Sequence, residues 1–212
     1  MFLRQIAVLL ALAVPFLLVG CLHSPGGGRL PPAWQIVPEP IGDAPLLRFG
    51  FPPPLEHYGG TASSLRGELR LGAGGVLAGS SGYVEVAASE LDMGEKYLTM
   101  TMLDELLAAE NPVARFDLRE VSGVDATLPL RPGEERAFAA RGDFSMKGIT
   151  IPADVAATVL PTTGPDGQPR LVARVTFAVR LKESFNIDGP VGPLPARDTV
   201  EFALVFPMVP SP

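Results

Sequence analysis

The chain shows a strict alternation of apolar and polar residues from Trp34 onward. A period of two is typical of a half-buried strand, because successive side chains of a strand point to opposite faces. The apolar stripes are Leu47, Phe49 and Phe51; Leu65, Leu69 and Leu71; Ala114, Phe116 and Leu118; Phe138, Ala140, Gly142, Phe144 and Met146; Ala173, Val175, Phe177, Val179 and Leu181; and Val200, Phe202, Leu204 and Phe206. Further strands near Val84–Val86, Ala153–Val159 and Trp34–Ile36 bring the predicted total to eight or nine. Gly, Pro and Asp separate most of them, which indicates an all-β antiparallel sandwich or barrel.

One segment departs from the strand pattern. Thr99–Glu110 places Leu103, Leu106 and Leu107 at helical spacing, and Asn111-Pro112 ends the segment. A helix of this length is marginal on its own. We therefore expect it to lie across one end of the sheet as a plug.

The interior allows two interpretations, because the inward stripes mix large residues with small ones. The small members are Gly67, Ala88, Ala140, Gly142, Ala153, Ala157 and Ala173. An antiparallel sheet of about eight strands can close into a barrel that holds one small ligand, and small inward residues make room for it. Alternatively, each of them faces a Phe or Met of the opposite wall and the core is full. Composition leaves both interiors open.

The N-terminus has the features of an export signal. Arg4 precedes an apolar run from Ile6 to Val19, and small residues follow it. This run is shorter than the roughly 20 residues of a transmembrane helix. Leu18-Val19-Gly20-Cys21 resembles the bacterial lipobox. Residues 1–20 are therefore predicted to be a signal peptide, and Cys21 the lipid-modified first residue of the mature protein.

The mature chain is predicted to be one domain on a tether. Residues 21–33 form a lipid-anchored flexible tether rich in Gly and Pro, with a reach of roughly 15–20 Å. Residues 34–212 form the barrel domain, a size common for single all-β domains. Cys21 is the only cysteine, so an intrachain disulfide and cysteine-based zinc sites are excluded.

The net charge and the reactive side chains limit the classes of function that the chain can have. Without residues 1–20 the chain has 16 basic against 23 acidic residues, a net charge of −7, which disfavours nucleic acid and a polybasic membrane patch. His23 and His57 lack partners at metal-ligand spacing, and the paired acids Asp104-Glu105 are predicted to be solvated. We therefore expect a protein that is not an enzyme, with neither a metal nor a cofactor, whose membrane attachment comes from its lipid.

Three stretches resemble the YceI-like family of secreted, lipocalin-like barrels that bind polyisoprenoid lipids. They are Leu65–Leu69 with Val84–Ser89 and Leu91–Gly94; Asp104–Leu107 with Asn111–Phe116; and Ala140–Thr150 with Pro152. The third is the most specific, since Gly142-Asp143-Phe144-Ser145-Met146-Lys147-Gly148 is similar to the family's GxLTIKG strand. Two stretches depart from the family pattern, Lys182–Asn186 near the last hairpin and Thr99–Thr101 before the helix.

The resemblance implies a lipocalin-like barrel of about eight strands with one short helix. Together with the lipobox, it predicts an envelope lipoprotein that binds, sequesters or carries an isoprenoid or fatty-acyl lipid in its lumen. The residues predicted to contact that ligand are Phe49, Leu69, Phe116, Phe138, Phe144, Phe177 and Phe202. Arg180 and Lys182 are candidate contacts for a polar headgroup at the mouth.

An alternative function is a barrel with a filled core that acts as an envelope scaffold or partner-binding module. In either case the predicted location is the cell envelope. Leu22, not Asp, follows the lipidated cysteine. By the Asp-dependent sorting rule for lipoproteins, this predicts the outer membrane, with the domain facing the periplasm.

Overall fold

A computed structural model describes residues 30–53, 55–56, 58–123, 125–187 and 198–212. The predicted signal peptide, the lipidation of Cys21, most of the predicted tether, His23 and His57 lie outside these residues. Within the described ranges, the helices fall short of the length and apolar character needed to cross a bilayer.

Strands dominate the described structure. In chain order the elements are β1 (Ala33–Ile36), β2 (Leu47–Gly50), β3 (Gly59–Ala62), β4 (Arg66–Gly72), β5 (Val76–Ala87), a 3₁₀ turn (Ala88–Glu90), β6 (Leu91–Asp92), α1 (Lys96–Glu105), β7 (Val113–Ser122), β8 (Arg136–Met146), β9 (Ile149–Thr163), β10 (Pro169–Arg180), α2 (Leu181–Phe185) and β11 (Thr199–Pro210). The predicted strands are confirmed, except that Leu181 begins α2, a second short helix that was not predicted. The short strands β3 and β6 were not predicted, because Gly59–Ala62 contains no large apolar residue and β6 spans only two residues.

The sheet is antiparallel and closes on itself, which confirms the predicted barrel. Eight strands follow one another around it in the order β1, β4, β5, β7, β8, β9, β10 and β11. The last strand makes the closure, because Met208–Pro210 pair with β1 while Glu201–Leu204 of the same strand pair with β2. β2, β3 and β6 continue from this seam as a short additional sheet. Closure leaves the inward side chains of all eight strands facing one another.

The two ends of the barrel differ, and one of them is sealed. This sealed end carries the β4–β5 turn, the β7–β8 connection and the start of β1. The connection folds under the barrel: the amides of Leu77 and Ala78 donate to the carbonyl oxygen of Ala126, at 3.0 and 2.8 Å, and Leu130 N donates to Gly75 O. Ala126 and Leu130 are themselves buried.

A dense core fills the barrel at the sealed end. Its fully buried side chains include Trp34, Leu77, Val159, Leu171 and Met208. The indole Nε1 of Trp34 donates to the carbonyl oxygen of Pro31 at 2.8 Å, which holds the chain against the core before β1 begins. This core fixes the strands at one end while the opposite end, here called the open end, is occupied by α1, α2 and the β8–β9 turn.

The predicted helix exists, with different bounds. α1 spans Lys96–Glu105 and not Thr99–Glu110. It ends because Leu107 adopts a left-handed conformation (φ 50°), with Leu107 N bonded to Asp104 O and Ala108 N to Leu103 O. This is a Schellman arrangement, which usually has glycine at the left-handed position. The apolar spacing continues past this point, so the end of the helix could not be predicted from the sequence pattern.

Some of the small inward residues allow two neighbouring strands to lie close together. These residues do not enlarge the interior. A Cβ atom at Gly142 would lie 2.3 Å from the carbonyl oxygen of Asp117 and 2.5 Å from Cζ of Phe116. At Gly67 it would lie 2.3 Å from the carbonyl oxygen of Tyr83. Glycine is required at these points because the neighbouring strand occupies the space of a side chain.

We predict that Gly142→Ala lowers the free energy of unfolding by about 1–3 kcal/mol, because β7 or the Phe116 ring must move. Gly50→Ala is the matched control, since the nearest atom to a Cβ there is an ordinary 3.5 Å away. It removes the same backbone freedom from the unfolded chain without a clash, and should leave stability unchanged or slightly raised. Urea unfolding of both variants checks this. Equal losses for the two would contradict the close-approach explanation.

Candidate functional site

The barrel interior contains a cavity between the sealed-end core and α1. Its volume is about 300 Å³. The lining is almost entirely apolar. Its residues come from strands all around the barrel, namely β2 and each strand from β4 to β11. Ala140, Ala157 and Ala173 are part of it, so these small residues do make room. Of the two interiors compatible with the sequence, the structure therefore has the open one.

The cavity has an aromatic wall built from cross-strand neighbours. Phe177 and Phe202 are directly paired on β10 and β11, and their rings stack with centroids 4.8 Å apart. Phe144 meets both edge-on, at 5.3 Å from Phe177 and 5.9 Å from Phe202. Phe185 of α2, fully buried, supports Phe144 from the other side. Phe49 extends the wall, since it pairs with Phe202 from β2. These contacts hold the wall rigid without filling the space in front of it.

All seven residues predicted to contact a ligand line this cavity: Phe49, Leu69, Phe116, Phe138, Phe144, Phe177 and Phe202. Phe144 is buried, whereas the other six remain partly accessible although they point inward. Inward side chains of a filled barrel would be fully buried, so their partial accessibility follows from the cavity. That a ligand contacts them stays a prediction.

The roof of the cavity was only partly predicted. α1 lays one face over the space, formed by Leu98, Thr101, Met102 and Glu105, with Leu106 just beyond the helix. The helical spacing of the sequence instead groups Leu103, Leu106 and Leu107. Of these only Leu106 lines the cavity, and Leu107 is 46% exposed. Leu98, Met102 and Leu106 recur every four residues, and this spacing could have identified the roof from the sequence.

Polar residues are scarce in the lining, and apart from Glu68, Tyr83 and Glu85 of β4 and β5 they lie at the open end. Thr101 and Glu105 belong to the roof, and Tyr58 lines the cavity from the loop between β2 and β3. Tyr83 and Glu85 also border the space, but their side chains contact Arg115 on the outer face of the sheet. Among the described lining residues none carries a positive charge.

The two candidate headgroup contacts lie outside the described lining. Arg180 ends β10 with an exposed side chain and donates a 2.6 Å hydrogen bond to Glu183, which raises the pKa of the guanidinium. Lys182 is an exposed residue of α2 whose backbone amide donates to Asp198. Both are near the open end, and their contact with a headgroup stays a prediction.

An ionic cluster around Arg115 lies on the outer wall of the barrel. Arg115 donates hydrogen bonds to both carboxylate oxygens of Asp117, at 2.8 and 2.9 Å, and to Glu85 at 3.1 Å, while its guanidinium lies 3.8 Å above the Tyr83 ring. The hydrogen bonds from Arg115 hold the pKa of the Asp117 carboxyl below its usual range. This group braces β5 against β7 from outside and does not enter the cavity.

The arrangement is suited to binding an apolar molecule. In the described part of the chain, no three His, Cys, Asp or Glu side chains come close enough to share a metal ion. The cavity offers mainly aromatic and aliphatic surface with a few polar groups. Such a cavity accepts apolar ligands.

In a comparison with models of known families, residues 50–206 match the YceI-like domain. A comparison with curated proteins finds none that matches.

Solved structures with the same fold include three relevant barrels. BcnA of Burkholderia cenocepacia aligns with a TM-score of 0.58 at 12% identity, covering 76% of this chain and 94% of its own. The YCEI protein of Campylobacter jejuni has a TM-score of 0.56 at 10% identity, with 72% and 85% covered. A polyisoprenoid binding domain from Saccharophagus degradans, implicated in plant cell wall breakdown, has a TM-score of 0.56 at 13% identity, with 86% and 100% covered. At these identities the likeness concerns the fold.

Proposed function

The chain belongs to the YceI-like family, and from this premise we propose that it binds an isoprenoid or fatty-acyl lipid inside its barrel, as a lipid-anchored protein of the cell envelope. The observation that carries the proposal is the apolar cavity beneath α1. The Saccharophagus degradans domain, described as polyisoprenoid-binding, shares the fold and supports the same ligand class.

Binding in this cavity is a transfer of hydrocarbon out of water. Each CH₂ group moved into an apolar environment contributes about 0.8 kcal/mol. The walls are rigid aromatic side chains on paired strands, so little conformational entropy is lost when the ligand arrives. No covalent chemistry is required, and the proposed role is carriage or sequestration, not catalysis.

The polar end of the ligand is placed at the open end. Thr101 and Glu105 supply a hydroxyl and a carboxylate there, and Tyr58 lies at the same end of the cavity. A carboxylate disfavours a neighbouring phosphate, because like charges repel at short range. We therefore favour a ligand with an uncharged polar end.

The cavity also argues against the alternative of a filled-core scaffold. A barrel serving only as a scaffold gains stability from a full interior, since each unfilled space costs packing energy. Here the side chains that could close the space are alanines at positions 140, 157 and 173.

The family match begins at residue 50, so the anchor is argued from sequence alone. The apolar run and Leu18-Val19-Gly20-Cys21 support export and lipidation. Leu22 supports the outer membrane, with the barrel facing the periplasm.

We predict that Cys21→Ser abolishes metabolic labelling with radioactive palmitate and shifts the protein out of the detergent phase, or leaves the signal peptide uncleaved. The reason is that the thiol is the only atom that can carry the diacylglycerol group. Labelling and detergent partitioning like those of the parent chain would contradict the anchor. That result would leave the cavity proposal untouched.

For the cavity we predict that Ala173→Trp weakens binding of a fluorescent polyprenyl analogue by about tenfold or more, because an indole occupies space equal to several CH₂ groups. Stability should fall by less than the roughly 1–3 kcal/mol typical of overpacking, since the new ring enters empty space. Ala173 is half-buried and lines the cavity, which leaves its Cβ open to that space.

Ala178→Trp is the control, because Ala178 lies on the same strand but is exposed on its outer face. It should bind the analogue as the parent does. Unchanged binding by Ala173→Trp, with both variants folded, would overturn the cavity as the ligand site.

A further inference from the structure

The cavity ends inside the barrel at an apolar floor. On β4 and on each strand from β7 to β11, the lining residue nearest the sealed end is apolar. These residues are called the floor here: Leu69, Leu118, Phe138, Ala157, Ala173 and Met208. One inward position further along β9 and β10, Val159 and Leu171 are fully buried in the dense core. The cavity therefore stops at the floor and does not continue to the sealed end.

A polar headgroup would find no partner at the floor. Glu68 of β4 is exposed, because its side chain points to the outer face of the sheet. Ser80 is buried, but its hydroxyl is already hydrogen-bonded to backbone groups on either side of the β4–β5 turn. Burial of a hydroxyl or a carboxylate without a hydrogen bond is costly. The hydrocarbon end of a ligand therefore belongs at the floor, and its polar end at the roof.

The depth and the width of the cavity limit what can lie in it. Along β10 and the start of α2 the lining runs from Ala173 to Leu181. Eight residues at about 3.3 Å each, in a strand tilted by about 40°, give a depth of roughly 20 Å. The interior of a barrel of about eight strands is wide enough for one small ligand. A chain inside it therefore lies extended and does not fold back beside itself.

The volume sets the number of carbon atoms. An apolar cavity of about 150 Å³ holds one benzene ring, so the roughly 300 Å³ of this cavity corresponds to about a dozen carbons. A staggered chain advances roughly 1.25 Å for each C–C bond, so about a dozen carbons extend over about 14 Å. This length fits within the depth between the floor and the roof.

We propose that the cavity takes a single hydrocarbon chain tail first, to a limit of about a dozen carbon atoms, and that the floor sets this limit. The inference rests on the proposed function and specifies which part of the ligand is enclosed. Carbons beyond the limit stay outside the open end. A longer isoprenoid or acyl chain therefore binds no more tightly than one that just fills the cavity.

Trp34 is placed to report the arrival of a chain at the floor. It is the only tryptophan of the chain. It lies directly opposite Leu69 on the neighbouring strand, so the two side chains share the inward face of the sheet. Its indole is fully buried. A group that reaches Leu69 from the cavity therefore comes close to the indole without contact with solvent.

The test uses primary alcohols that carry bromine on the last carbon, because bromine quenches tryptophan fluorescence at short range. The purified full chain is first passed over a hydrophobic resin to remove bound lipid. Alcohols of about six to sixteen carbons are then titrated, and displacement of the fluorescent polyprenyl analogue gives their affinity. Quenching of Trp34 is extrapolated to full occupancy, which separates proximity from affinity. Alcohols of the same lengths with bromine beside the hydroxyl are the control, and bromoethanol corrects for quenching from bulk solution.

We expect the affinity to rise about fourfold for each added CH₂ up to about a dozen carbons and to stay constant beyond that length. Quenching at full occupancy should be weak for the shortest alcohols, whose hydroxyl is held at the roof. It should rise to a plateau at the same length, because the tail then reaches the floor. The alcohols with bromine beside the hydroxyl should quench Trp34 weakly at every length.

A raised floor should shorten the limit. Ala173→Phe adds a ring at the floor, so the length at which affinity stops rising should fall by up to about six carbons, the carbon content of that ring. Quenching of Trp34 should then remain weak at every length. Ala178→Phe is the matched control on the outer face of the same strand, and it should give the limit of the parent chain. The length series of the parent chain tests the limit even if Ala173→Phe does not fold.

Three results would overturn this inference while leaving the proposed function intact, provided that the polyprenyl analogue still binds. They are an affinity that keeps rising to the longest alcohol, quenching that is independent of length or stronger with bromine beside the hydroxyl, and alcohols that fail to displace the analogue. An unchanged limit in folded Ala173→Phe would also overturn it. Absence of binding by both the analogue and the alcohols would count against the proposed function itself, and the length limit would fall with it.

Discussion

The closed sheet faces apolar side chains toward an interior that they do not fill, and the rest of the structure depends on this constraint. β11 closes the barrel by pairing with both β1 and β2. Because the sheet is closed, its inward side chains face one another and not solvent. At the sealed end they meet as a dense core around Trp34 and Leu171. Next to this core, alanines at 140, 157 and 173 line a cavity of about 300 Å³.

An empty space of this size has an energetic consequence. Unfilled space in a protein interior costs stability, because the side chains that line it lack packing partners on one side. The dense core at the sealed end, closed by the β7–β8 connection, and the stacked ring pair Phe177–Phe202 stabilise the fold without a ligand. A hydrocarbon chain that fills the space restores the missing contacts, so ligand binding and stability are linked.

The sequence predicted the barrel because alternation with a period of two is a direct consequence of strand geometry. For the same reason all seven predicted wall residues, Phe49 to Phe202, line the cavity. Alternation with a period of two could not identify residues whose position depends on helix geometry or on the neighbouring strand. The roof follows helical spacing, and its end depends on the left-handed conformation of Leu107. Gly142 and Ala140 are both small inward residues of β8, and the sequence does not distinguish their roles. The structure does, because β7 lies against Gly142 whereas Ala140 lines the cavity.

If the hollow half of the barrel holds a lipid, that lipid should accompany the protein through purification, and its amount can be measured. The protein is isolated without added lipid and extracted with organic solvent, and the extract is quantified by mass spectrometry, while a covalent anchor stays with the chain. We expect one long-chain apolar lipid, isoprenoid or fatty-acyl, for each folded chain. Protein that is free of lipid, and that neither binds such a lipid nor gains stability when it is supplied, would contradict the account.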